Sequence, residues 1–229
     1  MTGVQTCALP IFRVVGGTDC LIEGCRFSNL GGTAARIEGG SASGIQSCDV
    51  LEVAGEGIRI DGGDRRELVP AGHFADDNHI HHFSRRLKTY HPGVTVHGVG
   101  NRVSHNLIHD APHMAIGFAG NEHLIEYNEV HHVVLETNDA GACYNGRDPS
   151  QQGTVIRFNY WHHIGAVEGH GSNAVYFDDA LCGTTVFGNV FRDAGLPGAA
   201  LMGAVFIHGG RYNVDRKSTR LNSSHGKLS

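Results

Sequence analysis

Asn106 to Asp110 reads NLIHD, and a phrase of the same pattern occurs seven times along the 229 residues of the chain. The first residue of each phrase is Asn or Cys, and the third is always apolar. The phrases are CRFSN from Cys25, CDVLE from Cys48, NHIHH from Asn78, NLIHD from Asn106, NEVHH from Asn128, NYWHH from Asn159 and NVFRD from Asn189. Successive phrases start 22 to 31 residues apart, a repeat length that is typical of solenoids.

Two more short phrases lie between these, each with apolar residues at alternate positions. The second phrases are ARIEGG from Ala35, IRIDGG from Ile58, VTVHGV from Val94, IGFAGN from Ile116, ACYNGR from Ala142, VYFDDA from Val175 and VFIHGG from Val205. A third short apolar run precedes the first phrase in GNRVSHN, EHLIEYN, GTVIRFN and GTTVFGN. Runs of three to five residues with a period of two are strand signals.

Three short strands per repeat predict an all-β fold, a right-handed parallel β-helix of about seven coils that is truncated at both ends. Equivalent residues of successive coils then stack in columns about 4.8 Å apart. We expect one interior column of Ile80, Ile108, Val130, Trp161 and Phe191, and an amide ladder of Asn106, Asn128, Asn159 and Asn189. A sandwich of hairpins is the structural alternative, but hairpin turns do not recur at the required places.

Both ends of the chain differ from the repeat. TGVQTCALPI (Thr2 to Ile11) and DRKSTRLNSSH (Asp215 to His225) resemble translated sequencing-adapter sequence. We therefore expect residues 12–215 to form the β-helix domain, as a fragment of a longer enzyme. Residues 1–11 and 216–229 are expected to be artefactual or disordered, and therefore unpaired or poorly packed.

Composition restricts the classes of partner. Residues 1–215 hold 14 basic residues against 23 acidic ones, a net charge of −9, which argues against nucleic acid because its binding needs a basic footprint. No apolar run approaches the length of a membrane span. The five cysteines outside the ends lack metal-like spacing, so we expect free thiols and no cofactor. Nothing in the sequence indicates an oligomeric state.

Histidines recur with the repeat. His81, His109, His131 and His162 occupy the fourth place of the first phrase, and His82, His132 and His163 occupy the fifth place. Imidazoles one coil apart can share a metal ion. Seven histidines spread over four coils fit a stacked ladder better than a cluster of three or four ligands, so the sequence favours a structural ladder.

Two columns beside the second phrase change residue type from coil to coil, unlike a structural ladder. One contains Glu38, Asp61, His97, Ala119, Asn145, Asp178 and His208, and the other contains His91, His113, Asp139, Ser172 and Met202. The central phrases are TNDAGACYNGRD (Thr137 to Asp148) and NAVYFDDA (Asn173 to Ala180). Rigid stacked strands can hold such unlike groups in a preorganised site.

The acids of these phrases are the candidate catalytic residues: Asp139, Asp178 and Asp179. A glycosidase needs one protonated carboxyl to release the leaving oxygen and one ionised carboxylate to attack or to activate water. Asp-rich turns are also common without any catalytic role. The candidate substrate-binding residues are His91, His97, His113, Tyr144, Asn145, Arg147, Tyr176 and His208. The rings of Tyr144, Tyr176 and Trp161 could offer faces to a sugar ring.

From about Asn78 to Asn213 the chain resembles bacterial right-handed β-helix carbohydrate-active enzymes, most closely glycoside hydrolase family 141. The phrases that carry the resemblance are HNLIHDAPHMAIG, EYNEVHH, LETNDAGACYNGRD, GTVIRFNYWHHIG, VYFDD, VFGNVF and AVFIHGGR. That family includes an α-L-fucosidase and a xylanase that act with two aspartates. The resemblance implies a secreted or periplasmic glycosidase acting on a polysaccharide or oligosaccharide, with Asp139 paired with Asp178 or Asp179.

Other functions stay open. Polygalacturonase-like hydrolases are a weaker match: Asp139, Asp178, Asp179 and His208 fit their pattern, but Arg211-Tyr212-Asn213 does not supply their Arg-x-Lys clamp. Calcium-dependent pectate lyases use a basic proton abstractor, and no lysine lies in these columns. A non-catalytic carbohydrate-binding or adhesin β-helix would use the same columns only to grip sugar, and a purely structural spike would show more uniform ones.

One geometric difficulty follows from the strand positions. Asp139 precedes its strand and Asp178 follows the equivalent strand, so straight strands would separate them by about six residues, or roughly 20 Å. The catalytic hypothesis therefore requires the turn Asp139-Ala140-Gly141 to bring Asp139 back over the groove.

Overall fold

The short alternating phrases form strands, because alternate side chains of a strand face the same side and can share one core. The computed structural model describes residues 11–195 and 203–221, and these residues form 24 strands and no helix. Met202 and residues 1–10 and 222–229, on which some expectations fall, lie outside the described residues.

The strands are, in chain order, β1 (Phe12–Val15), β2 (Leu21–Glu23), β3 (Arg26–Leu30), β4 (Ala35–Glu38), β5 (Gly44–Gln46), β6 (Asp49–Val53), β7 (Ile58–Gly62), β8 (Phe74–Asp76), β9 (His79–His81), β10 (Val94–Val99), β11 (Arg102–Ser104), β12 (Leu107–His109), β13 (Ile116–Asn121), β14 (Leu124–Glu126), β15 (Glu129–His131), β16 (Ala140–Gly146), β17 (Val155–Arg157), β18 (Tyr160–Ile164), β19 (Ser172–Asp178), β20 (Thr185–Phe187), β21 (Val190–Ala194), β22 (Val205–Ile207), β23 (Val214–Arg216) and β24 (Thr219–Leu221).

Three parallel sheets of eight strands each take every third strand of the chain. The first sheet has the order β1-β4-β7-β10-β13-β16-β19-β22, the second β2-β5-β8-β11-β14-β17-β20-β23, and the third β3-β6-β9-β12-β15-β18-β21-β24. One strand from each sheet makes one coil, so the predicted right-handed parallel β-helix is confirmed. The repeat predicted about seven coils, and the described residues form eight rows of strands.

The interior column predicted from the first phrases is confirmed. Ile80 pairs with Ile108, which pairs with Val130, and the register continues through Trp161 to Phe191. All five side chains are at most 1% exposed. Each contributes about 1.5–3 kcal/mol of hydrophobic stabilisation relative to an exposed position, and only stacking of coils supplies this burial.

An amide ladder runs along the bend between the second and third sheets, as predicted, and it starts one coil earlier at Asn78. Each of the first four side chains donates through Nδ2 to Oδ1 of the next Asn at 2.9–3.0 Å, and that Oδ1 also accepts the backbone N–H of the same donor residue. The ladder residues are Asn78, Asn106, Asn128, Asn159 and Asn189, all 1–2% exposed. The residue before each ladder Asn has a positive φ, in the left-handed region of backbone conformation, so the ladder stabilises this bend in each coil that it crosses.

Histidine stacking along the third sheet is also confirmed. The rings of His81, His109, His131 and His162 stack with centroids 4.6–5.0 Å apart. They lie on strands β9, β12, β15 and β18. His82 and His132 follow their strands, whereas His163 lies within β18, and all three have a positive φ. Burial is the largest of the effects that lower the pKa of His81 and His162. It also lowers the pKa of His131, to about 4. These three stacked imidazoles are therefore neutral near pH 7.

Part of the C-terminal segment pairs with the sheets. Residues 216–229 were expected to be unpaired or poorly packed; Arg216 ends β23, and Thr219–Leu221 forms β24, which pairs in parallel with β21. Backbone pairing requires only an extended chain beside an open sheet edge, and almost any sequence satisfies that condition. The three residues of β24 are exposed, so backbone pairing rather than side-chain packing holds this strand.

Removing one member of the amide ladder should destabilise the fold. Asn128→Ala deletes the acceptor of the Asn106 side chain and the donor to the Val103 carbonyl, and leaves these buried partners unsatisfied. We expect the free energy of unfolding to fall by at least about 2 kcal/mol in urea denaturation. Gln152→Ala, at an exposed side chain, is the control and should change it by no more than about 0.5 kcal/mol. Equal losses for the two variants would mean that the ladder does not stabilise the bend.

Candidate active site

The register of the first sheet decides which side chains meet on its outer face. Ile116 of β13 pairs with Cys143 of β16, whereas the sequence analysis aligned Ile116 with Ala142. This one-residue shift places Gly146, and not Asn145, beside Asp178. The predicted column of Asn145 with Asp178 is therefore wrong. Asn145 pairs instead with Phe177, is 5% exposed, and donates to Oε1 of Gln151 at 2.8 Å.

Asp178, the last residue of β19, is the centre of a polar cluster. Asp178 is only 8% exposed, and both of its carboxylate oxygens accept hydrogen bonds. Oδ2 accepts the Tyr144 hydroxyl at 2.7 Å, and Oδ1 accepts the Tyr176 hydroxyl at 3.2 Å. Oδ1 also lies 3.0 Å from Nδ1 of His208 and 2.9 Å from the backbone N–H of Asp179. A buried carboxylate with this many donors is stabilised in its ionised form.

The pKa values of the cluster follow from these bonds. Burial would raise the pKa of Asp178, but the hydrogen bonds from Tyr144, His208, the Asp179 amide and Tyr176 together hold it below its usual range. The hydrogen bond to Asp178 raises the pKa of His208 against a small opposing effect of desolvation. Burial and then the charge or hydrogen bond of Asp178 raise the pKa of both tyrosine hydroxyls, which keeps them protonated as donors.

Asp139 reaches this cluster from the preceding coil. It lies just before β16, so Ala140 and Gly141, which were expected to form a turn with it, belong to the strand instead. Asp139 has φ 51°, is exposed, and donates its backbone N–H to Gly171. Gly141 allows Tyr176 to lie close to β16, because a Cβ at position 141 would be only 2.6 Å from Cβ of Tyr176. The Tyr176 hydroxyl is 3.5 Å from Oδ1 of Asp139 and 3.2 Å from Oδ1 of Asp178. The two carboxylate oxygens are therefore no farther apart than the sum of these distances, about 6.7 Å.

Charged groups flank the carboxylates on the solvent side. The Arg147 guanidinium is 3.5 Å from Asp179 and 3.9 Å from Asp178, and its side chain is 72% exposed. Nδ1 of His208 lies 3.5 Å from Asp179, whose side chain is 54% exposed. Asp179 is thus an exposed partner of the cluster, whereas Asp178 is its buried centre.

An open groove adjoins the cluster along the outer face of the first sheet. Its cavity of about 310 Å³ is lined by residues that include Arg59, Tyr90, His97, Tyr144 and Arg147. His97 sits beside Nη2 of Arg59 at 3.0 Å. Burial and then the charge of Arg59 lower the pKa of His97, which keeps this imidazole neutral. His97 lies on β10 and so lines the groove three coils before Asp178 on β19.

Two of the histidines expected to bind substrate lie elsewhere. His113 is 6% exposed, accepts the backbone N–H of Tyr90 at 3.3 Å, and has its pKa lowered to about 4 by burial. It holds the loop that carries Tyr90 into the groove. Nδ1 of His91 bonds to the carbonyl of Thr89, within the same loop. Neither imidazole contacts the residues of the polar cluster.

The tyrosines act differently from the expectation, and one groove residue was missed. The hydroxyls of Tyr144 and Tyr176 both donate to Asp178, and their rings meet edge to face with centroids 5.5 Å apart. Their main role in this structure is therefore to donate hydrogen bonds to a carboxylate, and not to stack against a sugar ring. Tyr90 was not identified as a groove residue, although its ring is 63% exposed and lies 6.4 Å from Tyr144. It belongs to a loop outside the repeat, where stacking gives no signal.

The site also has some capacity for a cation. Asp178, Asp179 and His208 each offer one ligand atom, and these three atoms lie within 4.8 Å of one another. Two carboxylates and an imidazole would suit a divalent transition metal. The contacts from Tyr144, Tyr176, His208 and Arg147 already stabilise the negative charge of Asp178 without a metal ion.

The geometry can perform acid–base chemistry on a ligand in the groove. It combines a buried ionised carboxylate, a second carboxylate within about 6.7 Å and an exposed imidazole hydrogen-bonded to the first. Groups held this way on neighbouring coils of a rigid sheet are preorganised.

Comparisons with known proteins bear mainly on the fold. No family model and no curated protein matches this sequence. A solved structure named "Glycoside hydrolase" matches with a TM-score of 0.67 and 17% sequence identity. The alignment covers 90% of this chain and 37% of that chain, so this chain spans little more than a third of the length of the protein that it matches. At this identity the likeness establishes the parallel β-helix.

The contact between His208 and Asp178 should be visible in the titration of His208. Its pKa is raised in the folded protein, so the favourable contact is fully present below the unfolded-state pKa and is lost as the pH rises through the raised value. The pKa of Asp178 is lowered, so the contact is also lost at acid pH as Asp178 protonates.

Long-range ¹H–¹⁵N NMR spectra of the histidine rings measure this pKa directly. In Asp178→Asn we expect the His208 pKa to fall towards the ordinary value of about 6.5. In the control Asp179→Asn we expect a smaller decrease, because that carboxylate is 3.5 Å away and the Asp178 oxygen is 3.0 Å away. A His208 pKa that is unchanged in Asp178→Asn would disprove the contact.

Proposed function

We propose that this protein is a carbohydrate-active enzyme, a glycoside hydrolase that cleaves a polysaccharide or oligosaccharide held in the groove of the first sheet. The single observation that carries the proposal is the Tyr176 hydroxyl, which lies within 3.5 Å of the carboxylates of both Asp139 and Asp178. Glycosidases need two carboxyl groups about 5–9.5 Å apart. The structural likeness to a protein named glycoside hydrolase supports the same class of reaction.

The environments of the two acids suggest their roles. Asp178 is buried, and its donors lower its pKa, so it is ionised near pH 7 and suits the nucleophile or base. Asp139 is exposed at the rim of the groove and can face a leaving-group oxygen as the general acid. We assign Asp179 to positioning Arg147 and His208 rather than to proton transfer, because its side chain is exposed and it contacts both.

The separation of the two acids bears on the stereochemical outcome. Retaining glycosidases place the carboxyl groups about 5–5.5 Å apart, and inverting ones about 6.5–9.5 Å apart. The upper limit of about 6.7 Å between Oδ1 of Asp139 and Oδ1 of Asp178 is compatible with both outcomes. The first-formed product anomer, followed by ¹H NMR, distinguishes the two outcomes.

Charge and location fit a sugar polymer. The groove is open, and its lining includes two arginines, a histidine and two tyrosines, which are groups that bind hydroxyls and sugar rings. A polysaccharide substrate would be met outside the cytoplasm, so the proposal includes a secreted or periplasmic protein.

Asparagine substitution of each acid tests the proposal, because it keeps the side-chain shape while it removes proton transfer. On a panel of polysaccharides and aryl glycosides we expect Asp178→Asn and Asp139→Asn to lower kcat by about 10²–10⁴-fold with intact binding. The matched control is Asp77→Asn, at an exposed position with φ 55° that Asn also tolerates, and it should keep full activity.

Binding of the same panel, measured by affinity electrophoresis, separates the alternatives. If the chain binds sugars but all three variants Asp139→Asn, Asp178→Asn and Asp179→Asn keep activity within tenfold, or the wild type shows none, the non-catalytic carbohydrate-binding function replaces the hydrolase. Unsaturated products that absorb near 235 nm would instead indicate a lyase.

A further inference from the structure

A second cluster of ligating side chains lies on the third sheet, away from the proposed active site on the first sheet. The stacked imidazoles of His131 and His162 belong to the adjacent strands β15 and β18, and they pair in register. Glu129 is two residues before His131 on β15, so it faces the same side of the sheet. This position is the end of the four-ring histidine stack, and the carboxylate distinguishes it from the coils before it.

The distances bring these three groups together. Nε2 of His162 is 3.1 Å from Oε1 of Glu129, and the rings of His131 and His162 lie 4.7 Å apart with 23° between their planes. One ligand atom from each of the three residues lies within 4.8 Å of the other two. Ligand atoms about 3.3 Å apart surround a tetrahedral ion at about 2.0–2.1 Å, so small side-chain rotations would complete such a site.

Neighbouring histidines orient the two rings. Nδ1 of His131 is 2.7 Å from Nδ1 of His132, and Nδ1 of His162 is 2.7 Å from Nδ1 of His163. When the stacked ring donates in each pair, its Nε2 keeps the lone pair that a metal needs. Metal-binding histidines commonly have a hydrogen-bonded partner at the other ring nitrogen, which fixes the tautomer.

We propose that Glu129, His131 and His162 form a binding site for a first-row divalent transition-metal ion such as Zn²⁺, Co²⁺ or Ni²⁺. Two imidazoles and one carboxylate are ligands that these ions prefer. The Glu129 side chain is 51% exposed, so the ion has a path from solvent, and water completes its coordination. The ion would join β15 to β18 and so link two successive coils of the solenoid.

Cobalt provides a direct probe because its absorption spectrum reports the ligand geometry. The full chain, purified without a histidine tag and treated with EDTA, is titrated with Co²⁺ and then with Zn²⁺ in competition with a chelator. We expect d–d bands near 500–650 nm, displacement of Co²⁺ by Zn²⁺, and a rise in Tm with added Zn²⁺, since an ion that binds only the folded state stabilises it.

Three variants identify the ligands. Glu129→Gln changes an exposed side chain and leaves the histidine stack intact, and we expect it to weaken Zn²⁺ binding at least tenfold with an unchanged Tm in EDTA. His162→Gln should weaken binding further. The matched control is His208→Gln, which removes the imidazole of the other three-ligand cluster and should leave the dissociation constant within threefold of the wild type.

Two results would overturn the site: an absence of d–d bands in the wild type, or binding that His208→Gln weakens and Glu129→Gln does not. Zn²⁺ binding that neither Glu129→Gln nor His162→Gln weakens would also overturn the site, since the ion would then bind at other side chains.

Discussion

The parallel register between neighbouring coils is the constraint on which the rest of the structure depends. Each strand of three to seven residues is too short to be stable alone, and its hydrogen bonds to the coils above and below fix the height of every side chain. The Asn ladder repeats this constraint at the bend, because each amide satisfies a backbone group of one coil and a side chain of the next. Residues 22 to 31 positions apart in sequence thereby become neighbours about 4.8 Å apart.

The fold could be predicted from the sequence because its signals repeat. Alternating apolar residues occur in every coil, and the Asn ladder and the histidine stack each recur over four or five coils, so each coil supports the alignment of the others. The end of the chain lacked that redundancy. Thr219–Leu221 carries no apolar alternation, and it is paired only because β21 offers a free strand edge. Sequence patterns report the burial of side chains, and a strand held by its backbone alone gives no such pattern.

The candidate site could be predicted only in part, for a local reason. Ala142 and Cys143 are both fully buried, so alternation does not show which of them faces Ile116, and the choice of Ala142 displaced Asn145 by one position. The expected 20 Å gap between Asp139 and Asp178 assumed straight strands and ignored side-chain length. In the structure the Tyr176 hydroxyl lies between the two carboxylates, and Gly141 leaves room for the Tyr176 side chain.

Stacking also explains why the two polar regions of the solenoid differ in composition. Like charges about 4.8 Å apart repel by about 3.5 kcal/mol at an effective dielectric constant of about 20, so a column of identical charged residues needs compensation. The stacked Arg13, Arg36 and Arg59 have it, because Glu38 and Glu56 form ion pairs with them. The column of His81, His109, His131 and His162 avoids this cost, since burial keeps His81, His131 and His162 neutral. The column of Asp178 avoids it by changing residue type: Gly146 precedes it, and His208 follows it in the next coil. A charged residue in a parallel β-helix is therefore held either by opposite charges in a neighbouring column or by unlike neighbours in its own, and in the column of Asp178 the change of residue type marks the place where charge, and with it chemistry, is held.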